Sequence, residues 1–228
     1  MNPVYRVVHT LTRCFHRVYG RWRIIGHEKI PKTGPVIVAC NHVSYLDPTI
    51  VGSAIKRECR FMARHDLFDK KFLAWLLPRL GTFPVHRDQV DKQAIKNGLD
   101  ALKQGLVFVI FPEGGRSDDG TLQRGELGVS LFVQKSGAPV VPCAMIGPEK
   151  MLPVGASKLT RVPLTCVFGD PIQFAPKTSR EEIMRGVMRG IAALLTEHGV
   201  PTTAKEDLDE PPASESPSDT AAVESTHR

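Results

Sequence analysis

Between residues 34 and 169 the sequence alternates short apolar runs with longer segments that have helical spacing. The runs predict strands at residues 36–40, 59–63, 82–86, 106–111, 140–146 and 163–168. Helices are predicted between them, near residues 48–57, 66–79, 90–104 and 123–136. Such alternation is typical of an α/β fold, so we expect a mostly parallel central sheet flanked by helices.

The first 25 residues have the spacing of an amphipathic helix. Apolar side chains recur every three or four positions, at Val4, Val8, Leu11, Phe15, Val18 and Trp22. Arginines and histidines occupy much of the remaining surface. Such a helix either docks on a membrane, with its apolar stripe among acyl chains, or packs that stripe on the protein core. The sequence favours the two arrangements equally.

The C-terminal end changes character after Val200. Before it, Ser179 and Glu182 form a Ser-x-x-Glu capping box that predicts the start of a final helix. After it, the sequence is rich in Pro, Ser, Thr and acidic residues and has no aromatic side chain. We therefore expect an amphipathic helix at 1–25, which we assign to a membrane interface, one α/β domain at 26–200 and a disordered acidic tail at 201–228.

Positive charge is concentrated outside the tail. The chain has a formal net charge of +6, whereas the tail carries seven acidic and two basic residues, which leaves +11 on residues 1–200. This excess favours a polyanionic partner, either nucleic acid or an anionic membrane with phosphorylated substrates. Nucleic acid is the weaker option, because the basic residues accompany an apolar helical stripe and not exposed aromatic side chains suited to base stacking.

The five cysteines are far apart and include no Cys-x-x-Cys pair. Their odd number and apolar surroundings predict reduced core thiols in a cytosol-facing protein and no metal site. No apolar run approaches the roughly 18 residues of a membrane span. Arginines interrupt the N-terminus throughout, which argues against a secretory signal.

A histidine and an aspartate five positions apart, His42 and Asp47, follow the predicted strand 36–40. Open α/β sheets bind ligands at the carboxyl ends of their strands, and an aspartate that orients a histidine makes it a general base. Asp47 also stands where a helix N-cap is expected, and one carboxylate oxygen can cap while the other accepts from His42. The same spacing recurs at His86 and Asp91, so spacing alone does not select a pair.

The segment Gly114-Gly115-Arg116 follows the apolar run 106–111. Two glycines let the backbone approach a ligand closely, and a guanidinium grips a phosphate through two parallel hydrogen bonds. Taken alone, the segment also fits an ordinary turn with a solvated arginine.

Two nucleophile mechanisms are disfavoured. The chain has no Gly-x-Ser-x-Gly segment, which argues against a hydrolase that works through an acyl-serine. Cys40 shares a strand face with His42 if the strand extends that far, so an acyl-cysteine is conceivable. A buried strand thiol is the more common role for such a cysteine.

Four blocks occur in a fixed order: Asn41-His42-x4-Asp47, Gly81–Arg87, Phe111–Ser117 and Val140-Val141-Pro142. Together they resemble the glycerolipid acyltransferases typified by 1-acylglycerol-3-phosphate (lysophosphatidate) acyltransferase. Each block is weak, but the joint match over roughly residues 34–146 is specific. The domain at 26–200 is accordingly expected to be an acyltransferase domain.

The resemblance implies that His42 is the general base on the acceptor hydroxyl and that Asp47 orients it. His86 does not fall on a catalytic position of the family. The residues implied to bind the acceptor are Arg87, Glu113, Gly114, Gly115, Arg116 and, at a position where many relatives have lysine, Arg64. The chain departs from the family at Gly115, where threonine is common, and at Glu126, where small residues are usual.

The resemblance also implies the reaction. An acyl group passes from acyl-CoA or acyl carrier protein to a free hydroxyl of a lysolipid at a membrane surface, without a cofactor or an enzyme nucleophile. We expect an O-acyltransferase that converts 1-acylglycerol 3-phosphate to phosphatidate, peripheral or monotopic on the cytosolic face of a bacterial inner membrane. The alternatives are another acceptor, such as a lyso-ornithine lipid, and a non-catalytic membrane lipid-binding protein of the same fold.

Overall fold

A seven-stranded sheet forms the centre of the computed structural model, which describes residues 2–86, 90–117, 119–153 and 155–202. The strands are β1 (Arg23–Ile25), β2 (Val36–Cys40), β3 (Cys59–Arg64), β4 (Thr82–Val85), β5 (Val107–Ile110), β6 (Val140–Ile146) and β7 (Thr165–Phe168). Their spatial order is β1-β7-β6-β2-β5-β3-β4. Five neighbouring strands, β2 to β6, are parallel, and β7 is antiparallel to β6 and pairs in parallel with β1. The predicted α/β fold with a mostly parallel sheet is confirmed.

Helices cover both faces of this sheet. They are α1 (Pro3–Tyr19), α2 (Asp47–Ala54), α3 (Lys71–Arg79), α4 (Lys92–Lys103), α5 (Gly128–Ser136), α6 (Pro148–Met151) and α7 (Arg180–Glu197). Helices α4, α5 and α7 pack on one face, α1 and α2 cover the other, and α3 lies beside β4 at the sheet edge.

The central strand β2 is buried along its whole length. Its side chains alternate between the two faces, so Ile37 and Ala39 join the core under α7, while Val36, Val38 and Cys40 join the core under α2. A parallel strand covered on both faces has no polar face, which explains why the sequence there is continuously apolar.

Some element boundaries differ from the predicted ones. The helix predicted near 123–136 begins only at Gly128, because the preceding segment folds back: the Glu126 amide donates to the Pro112 carbonyl at 2.7 Å. The helix predicted at 66–79 is divided into a 3-10 turn at His65–Asp69 and α3. Strand β1, with only three residues, was not predicted.

The start of α7 was predicted correctly. The Ser179 hydroxyl accepts from the Glu182 amide at 3.2 Å, and the Glu182 carboxylate accepts from the Ser179 amide at 3.1 Å, which completes the capping box. The predicted disordered tail at 201–228 lies, from residue 203 onward, outside the described residues.

Helix α1 packs through its polar and aromatic face. The side chain of His16 is buried, and its Nε2 lies 3.1 Å from the Thr49 hydroxyl on α2. Burial lowers the pKa of His16 to about 4, so the ring is neutral at physiological pH. Part of the predicted apolar stripe stays outside, since Leu11 is 63% exposed and Val18 is 72% exposed. The core contact of α1 therefore leaves this part of the stripe uncovered.

Candidate active site

The site lies where the chain leaves β2 and its neighbour β5. Immediately after β2, the buried Asn41 side chain makes two hydrogen bonds with the backbone of β6: its Nδ2 donates to the Met145 carbonyl at 3.0 Å, and its Oδ1 accepts from the Met145 amide at 2.7 Å. The side-chain amide of Asn41 thus takes the place of a backbone hydrogen-bond partner where β2 ends. It fixes the point at which the next residue, His42, leaves the sheet.

His42 and Asp47 form a direct pair. The His42 Nδ1 lies 2.8 Å from Asp47 Oδ2, and the same oxygen accepts from the amides of Val43 and Ser44 at 2.7 and 2.8 Å. Because the ionised carboxylate only accepts, Nδ1 carries the hydrogen and the lone pair is on Nε2. Among the described residues, no group bonds to Nε2. The geometry is that of an oriented general base.

The predicted N-cap role of Asp47 is wrong. Helix α2 begins at Asp47 itself, with Leu46 as the N-cap residue. The Asp47 carboxylate turns back to the amides of Val43 and Ser44, which precede the helix, and all three of its bonds fall on Oδ2. Its Oδ1 is buried without a partner among the described residues. A short acidic side chain that closes a local turn is unavailable to cap the helix.

The imidazole of His42 is stacked on an aromatic ring. Its centroid lies 4.1 Å from that of Phe111, the first residue after β5, with an interplanar angle of 23°. The His42 side chain is only 13% exposed. Phe111 and Asp47 together restrict the ring to one orientation.

Glu113 binds the backbone at two points, His42 and Gln123. Its Oε1 accepts from the His42 amide at 2.6 Å and its Oε2 accepts from the Gln123 amide at 2.8 Å, while the Ser117 amide donates to the His42 carbonyl at 2.8 Å. The loop after β5 therefore holds the His42 backbone on both sides.

The carboxyl group of Glu113 is buried, and burial disfavours its ionised form. The net result is a pKa raised to about 7: desolvation is the largest cause, the two amide donors oppose it, and the nearby Asp47 charge adds to it. Glu113 was predicted to bind the acceptor. That role stays a prediction. In the structure both carboxylate oxygens accept from backbone amides, which positions His42.

The two glycines of the loop are not equivalent. Gly114 has φ +66°, and a Cβ added to it would lie 2.3 Å from a carboxylate oxygen of Glu126. At Gly115 an added Cβ would meet nothing within 4 Å. Only the first glycine is required by the local backbone.

Arg116 stands beside the catalytic loop as a cation. Its Cζ lies 3.4 Å from the ring centroid of Tyr45, and its Nη1 is buried without a hydrogen-bond partner among the described residues. No described carboxylate forms an ion pair with it. An anion would satisfy both the charge and the unpaired N–H of this side chain.

Two further predicted arginines are placed differently. Arg64, at the end of β3, makes two hydrogen bonds to Asp66, with Nε to Oδ1 at 3.1 Å and Nη2 to Oδ2 at 2.6 Å. Arg87 lies outside the described residues. The predicted contacts of both with an acceptor remain predictions.

The second pair, His86 and Asp91, also forms. Its Nδ1–Oδ2 distance is 3.0 Å, and Asp91 is the N-cap of α4, where it accepts from the Ala94 amide at 2.9 Å. The His86 ring is 47% exposed and stacks on His65 with centroids 4.3 Å apart. This pair is a solvent-exposed helix cap, whereas His42–Asp47 is enclosed.

Thiol chemistry is disfavoured here. All five cysteines are free, and burial raises the pKa of the Cys40 thiol, which keeps it protonated and poorly nucleophilic. The residues that the structure describes contain no group of three or more side chains able to hold a metal ion.

Sequence reasoning missed several residues that organise this site. Tyr45, Phe111 and Ser117 lie within the matched blocks, but spacing assigned them no role. The aromatic residue at the end of a buried strand was the one available signal, since Phe111 ends the apolar run beside the loop. The backbone bonds of Ser117 have no signature in sequence.

The acyltransferase family model matches residues 21–146, more than half of the chain. The chain belongs to the acyltransferase family. The family predicted from the four sequence blocks and the predicted enzyme class are confirmed. In this acyltransferase the matched region runs from β1 to the end of β6 and contains the whole His42–Asp47 site.

Relatives of this acyltransferase carry a specific name. The 1-acyl-sn-glycerol-3-phosphate acyltransferase of Bacillus subtilis is 29% identical over 169 residues, which cover 72% of this chain and 81% of that protein. A chloroplastic protein of the same name from Brassica napus is 31% identical over 138 residues, but they span only 39% of its length. The crystal structure of the 1-acyl-sn-glycerophosphate acyltransferase of Thermotoga maritima has the same fold, with a TM-score of 0.74 and 23% identity over 86% of this chain and 81% of that one.

Proposed function

We propose that this acyltransferase moves a fatty acyl group from a thioester donor, acyl-CoA or acyl carrier protein, to the free hydroxyl of 1-acylglycerol 3-phosphate. The product is phosphatidate. The observation that carries the proposal is the enclosed His42–Asp47 pair beside Arg116, since within the described part of the chain neither His42 Nε2 nor Arg116 Nη1 has a hydrogen-bond partner. The names of the relatives support the choice of acceptor.

The proposed reaction needs one base and no nucleophile on the enzyme. His42 Nε2 takes the proton of the acceptor hydroxyl as its oxygen attacks the thioester carbonyl carbon. The new C–O ester bond forms, the C–S bond breaks, and the proton passes from Nε2 to the departing thiolate. Asp47 stabilises the imidazolium that exists between these two steps. Arg116 pairs with the acceptor phosphate.

The assay uses purified full-length protein, labelled acyl-CoA and 1-acylglycerol 3-phosphate. We expect wild-type turnover and its loss in His42→Ala, and the melting curve of the variant checks that it is folded. His86→Ala is the matched control because it removes the second histidine of the same spacing. Undiminished turnover in His42→Ala would disprove the mechanism, and no wild-type turnover with any lysolipid would disprove the function.

A second candidate acceptor is a lyso-ornithine lipid. The Glu126 carboxylate lies against Gly114, so a negative charge stands in the loop where the family usually has small residues. An acceptor with an amine would pair with such a charge. Mass spectrometry of the products from a mixed lysolipid panel, with either donor, decides between the two acceptors.

We also propose that α1 docks the enzyme on the cytosolic face of a membrane. The exposed apolar residues Leu11 and Val18 on α1, and Phe72 and Trp75 on α3, support this proposal. The Asn2 side chain donates to the Arg79 carbonyl at 2.7 Å, which joins the start of α1 to the end of α3. No helix in the described residues is long and apolar enough to cross a membrane.

A further inference from the structure

Tyr45 is an exposed aromatic residue in the loop that joins His42 to Asp47. Its side chain is 59% exposed, although Ser44 and Asp47 beside it are completely buried. Because the ring is mostly exposed, burial of apolar surface does not explain an aromatic residue at this position. The contact of the ring with Arg116 explains the aromatic residue at this position.

The guanidinium of Arg116 lies over the face of that ring. The Cζ atom is 3.4 Å from the ring centroid, a distance at which the cation meets the negative face of the aromatic system. Arginine loses several freely rotating torsions when it is fixed. The stack with Tyr45 fixes Arg116 before any ligand arrives.

The same guanidinium has an unused donor. Its Nη1 is buried and has no hydrogen-bond partner among the described residues. A buried donor on a charged group is costly to leave unpaired, and an anion satisfies both its charge and its N–H groups. At Gly115, the residue before Arg116, an added Cβ would meet nothing within 4 Å, so the backbone there is open on that side.

We propose that Tyr45 is a positioning residue that holds Arg116 for the anionic headgroup of the acceptor. This inference rests on the proposed function. The ring occupies one side of the guanidinium, so an anion approaches from the remaining side or the edges. Tyr45 is three residues from His42 in the same loop, and the stack therefore fixes the bound anion relative to the general base. The face of the ring carries this role, and the hydroxyl is not needed.

The test compares Tyr45→Leu, which removes the aromatic face, with Tyr45→Phe, which keeps it. For 1-acylglycerol 3-phosphate we expect the KM of Tyr45→Leu to rise about 3- to 30-fold. Its kcat and its KM for acyl-CoA should stay at wild-type values, and Tyr45→Phe should behave as wild type in all three. With uncharged monoacylglycerol as acceptor, Tyr45→Leu and wild type should have the same KM.

A double variant shows whether Tyr45 acts through Arg116. We expect Tyr45→Leu to change the acceptor KM in the wild-type background but not in the Arg116→Gln background. An equal effect in both backgrounds, an equal effect with monoacylglycerol, or a wild-type KM in Tyr45→Leu would overturn the proposal. A structural role alone predicts lower stability without this dependence on acceptor charge.

Calorimetric titration with glycerol 3-phosphate separates this inference from the proposed function, because it needs no turnover. Weaker binding by Tyr45→Leu than by wild type and Tyr45→Phe supports the positioning role even if no lysolipid is acylated. Equal binding by all three proteins, or no binding by wild type, overturns it. Absence of turnover in the wild type would count against the proposed function alone.

Discussion

One carboxylate oxygen of Asp47 accepts three hydrogen bonds, from the His42 ring and from the amides of Val43 and Ser44. Its replacement therefore disturbs both the loop and the base. An asparagine in its place keeps a carbonyl oxygen for the amides but loses the charge that stabilises the imidazolium and fixes its tautomer.

We expect Asp47→Asn to lower kcat by about 10²- to 10⁴-fold, by analogy with the orienting aspartate of the serine-protease triad. Asp47→Ala should lose as much activity and, in addition, about 1–3 kcal/mol of unfolding free energy, because two buried amides lose their acceptor. Steady-state kinetics and urea unfolding of both variants measure these effects. An asparagine variant with wild-type kcat would contradict the role given to Asp47.

Glu113 makes the stability of the fold depend on pH. Burial raises its pKa to about 7 in the folded chain, from a model-compound value of 4.5. Between these two values the folded state binds more protons than the unfolded state, so the free energy of unfolding falls as pH rises. The stabilisation is fully present below pH 4.5 and is lost as pH passes through 7.

Glu113→Gln should remove that dependence, since glutamine does not titrate. Between pH 5 and 8 we expect wild type to lose about 2 kcal/mol more unfolding free energy than the variant. The variant should also be less stable at every pH, because the amide of glutamine cannot accept from both the His42 and Gln123 amides. Urea unfolding at the two pH values gives the comparison, and parallel pH profiles would refute the assignment.

The sequence predicted His42 and Asp47 as a pair, but it did not predict the bond from the His42 amide to Glu113. The first two are close in the chain, so local spacing contains their relation. Glu113 reaches the His42 amide only because β2 and β5 are adjacent in the sheet, with Ala39 opposite Ile110. That register depends on the packing of the whole sheet and has no local signature.

Substitutions at two glycines test the backbone conformation of the loop after β5. Gly114→Ala should lower the unfolding free energy by about 1–3 kcal/mol and reduce turnover, because the new Cβ meets the Glu126 carboxylate at a positive φ. Gly115→Ala is the matched control for stability, since open space surrounds that position. Thermal unfolding of both variants measures the difference. Equal losses of stability at the two positions would show that the loop adopts another backbone.

Helix α1 was predicted from its periodicity, yet periodicity did not say which side faces the core. The side that packs on α2 carries His16 and Arg13, whose Nη1 donates to the Ser53 carbonyl at 2.8 Å. A polar face satisfied by specific partners is not visible as an apolar pattern. The apolar residues Leu11 and Val18 lie outside this contact and are exposed.

If α1 docks on a membrane as proposed, replacing both exposed residues should weaken that docking without unfolding the chain. For Leu11→Gln/Val18→Gln we expect at least about a tenfold loss of partitioning into phospholipid vesicles, because each apolar side chain contributes roughly 1.5–3 kcal/mol when buried. The melting temperature should be unchanged. Val90→Gln is the control, since Val90 is 78% exposed and lies outside α1. Equal vesicle binding by the double variant and wild type would exclude this docking face.

The balance of charge over the whole molecule predicts how docking depends on lipid composition. Residues 1–200 carry a net charge of +11, and Arg13, Arg17, His27 and Lys56 line one groove between α1, β1 and the end of α2. A basic groove of this kind attracts anionic lipid headgroups. The excess charge can be counted from the sequence, but only the fold brings Lys56 next to α1.

Removing two charges from this groove should therefore matter more than removing two elsewhere. We expect Arg17→Gln/Lys56→Gln to bind vesicles containing phosphatidylglycerol about 10- to 30-fold more weakly than wild type, at roughly 1 kcal/mol per charge. Lys96→Gln/Lys103→Gln, on α4 at the opposite face of the sheet, makes the same change in net charge and should bind as wild type. The difference should disappear on zwitterionic vesicles and shrink at 1 M salt, where charges are screened within about 3 Å. If both double variants lose affinity equally, net charge drives binding and the groove has no special role.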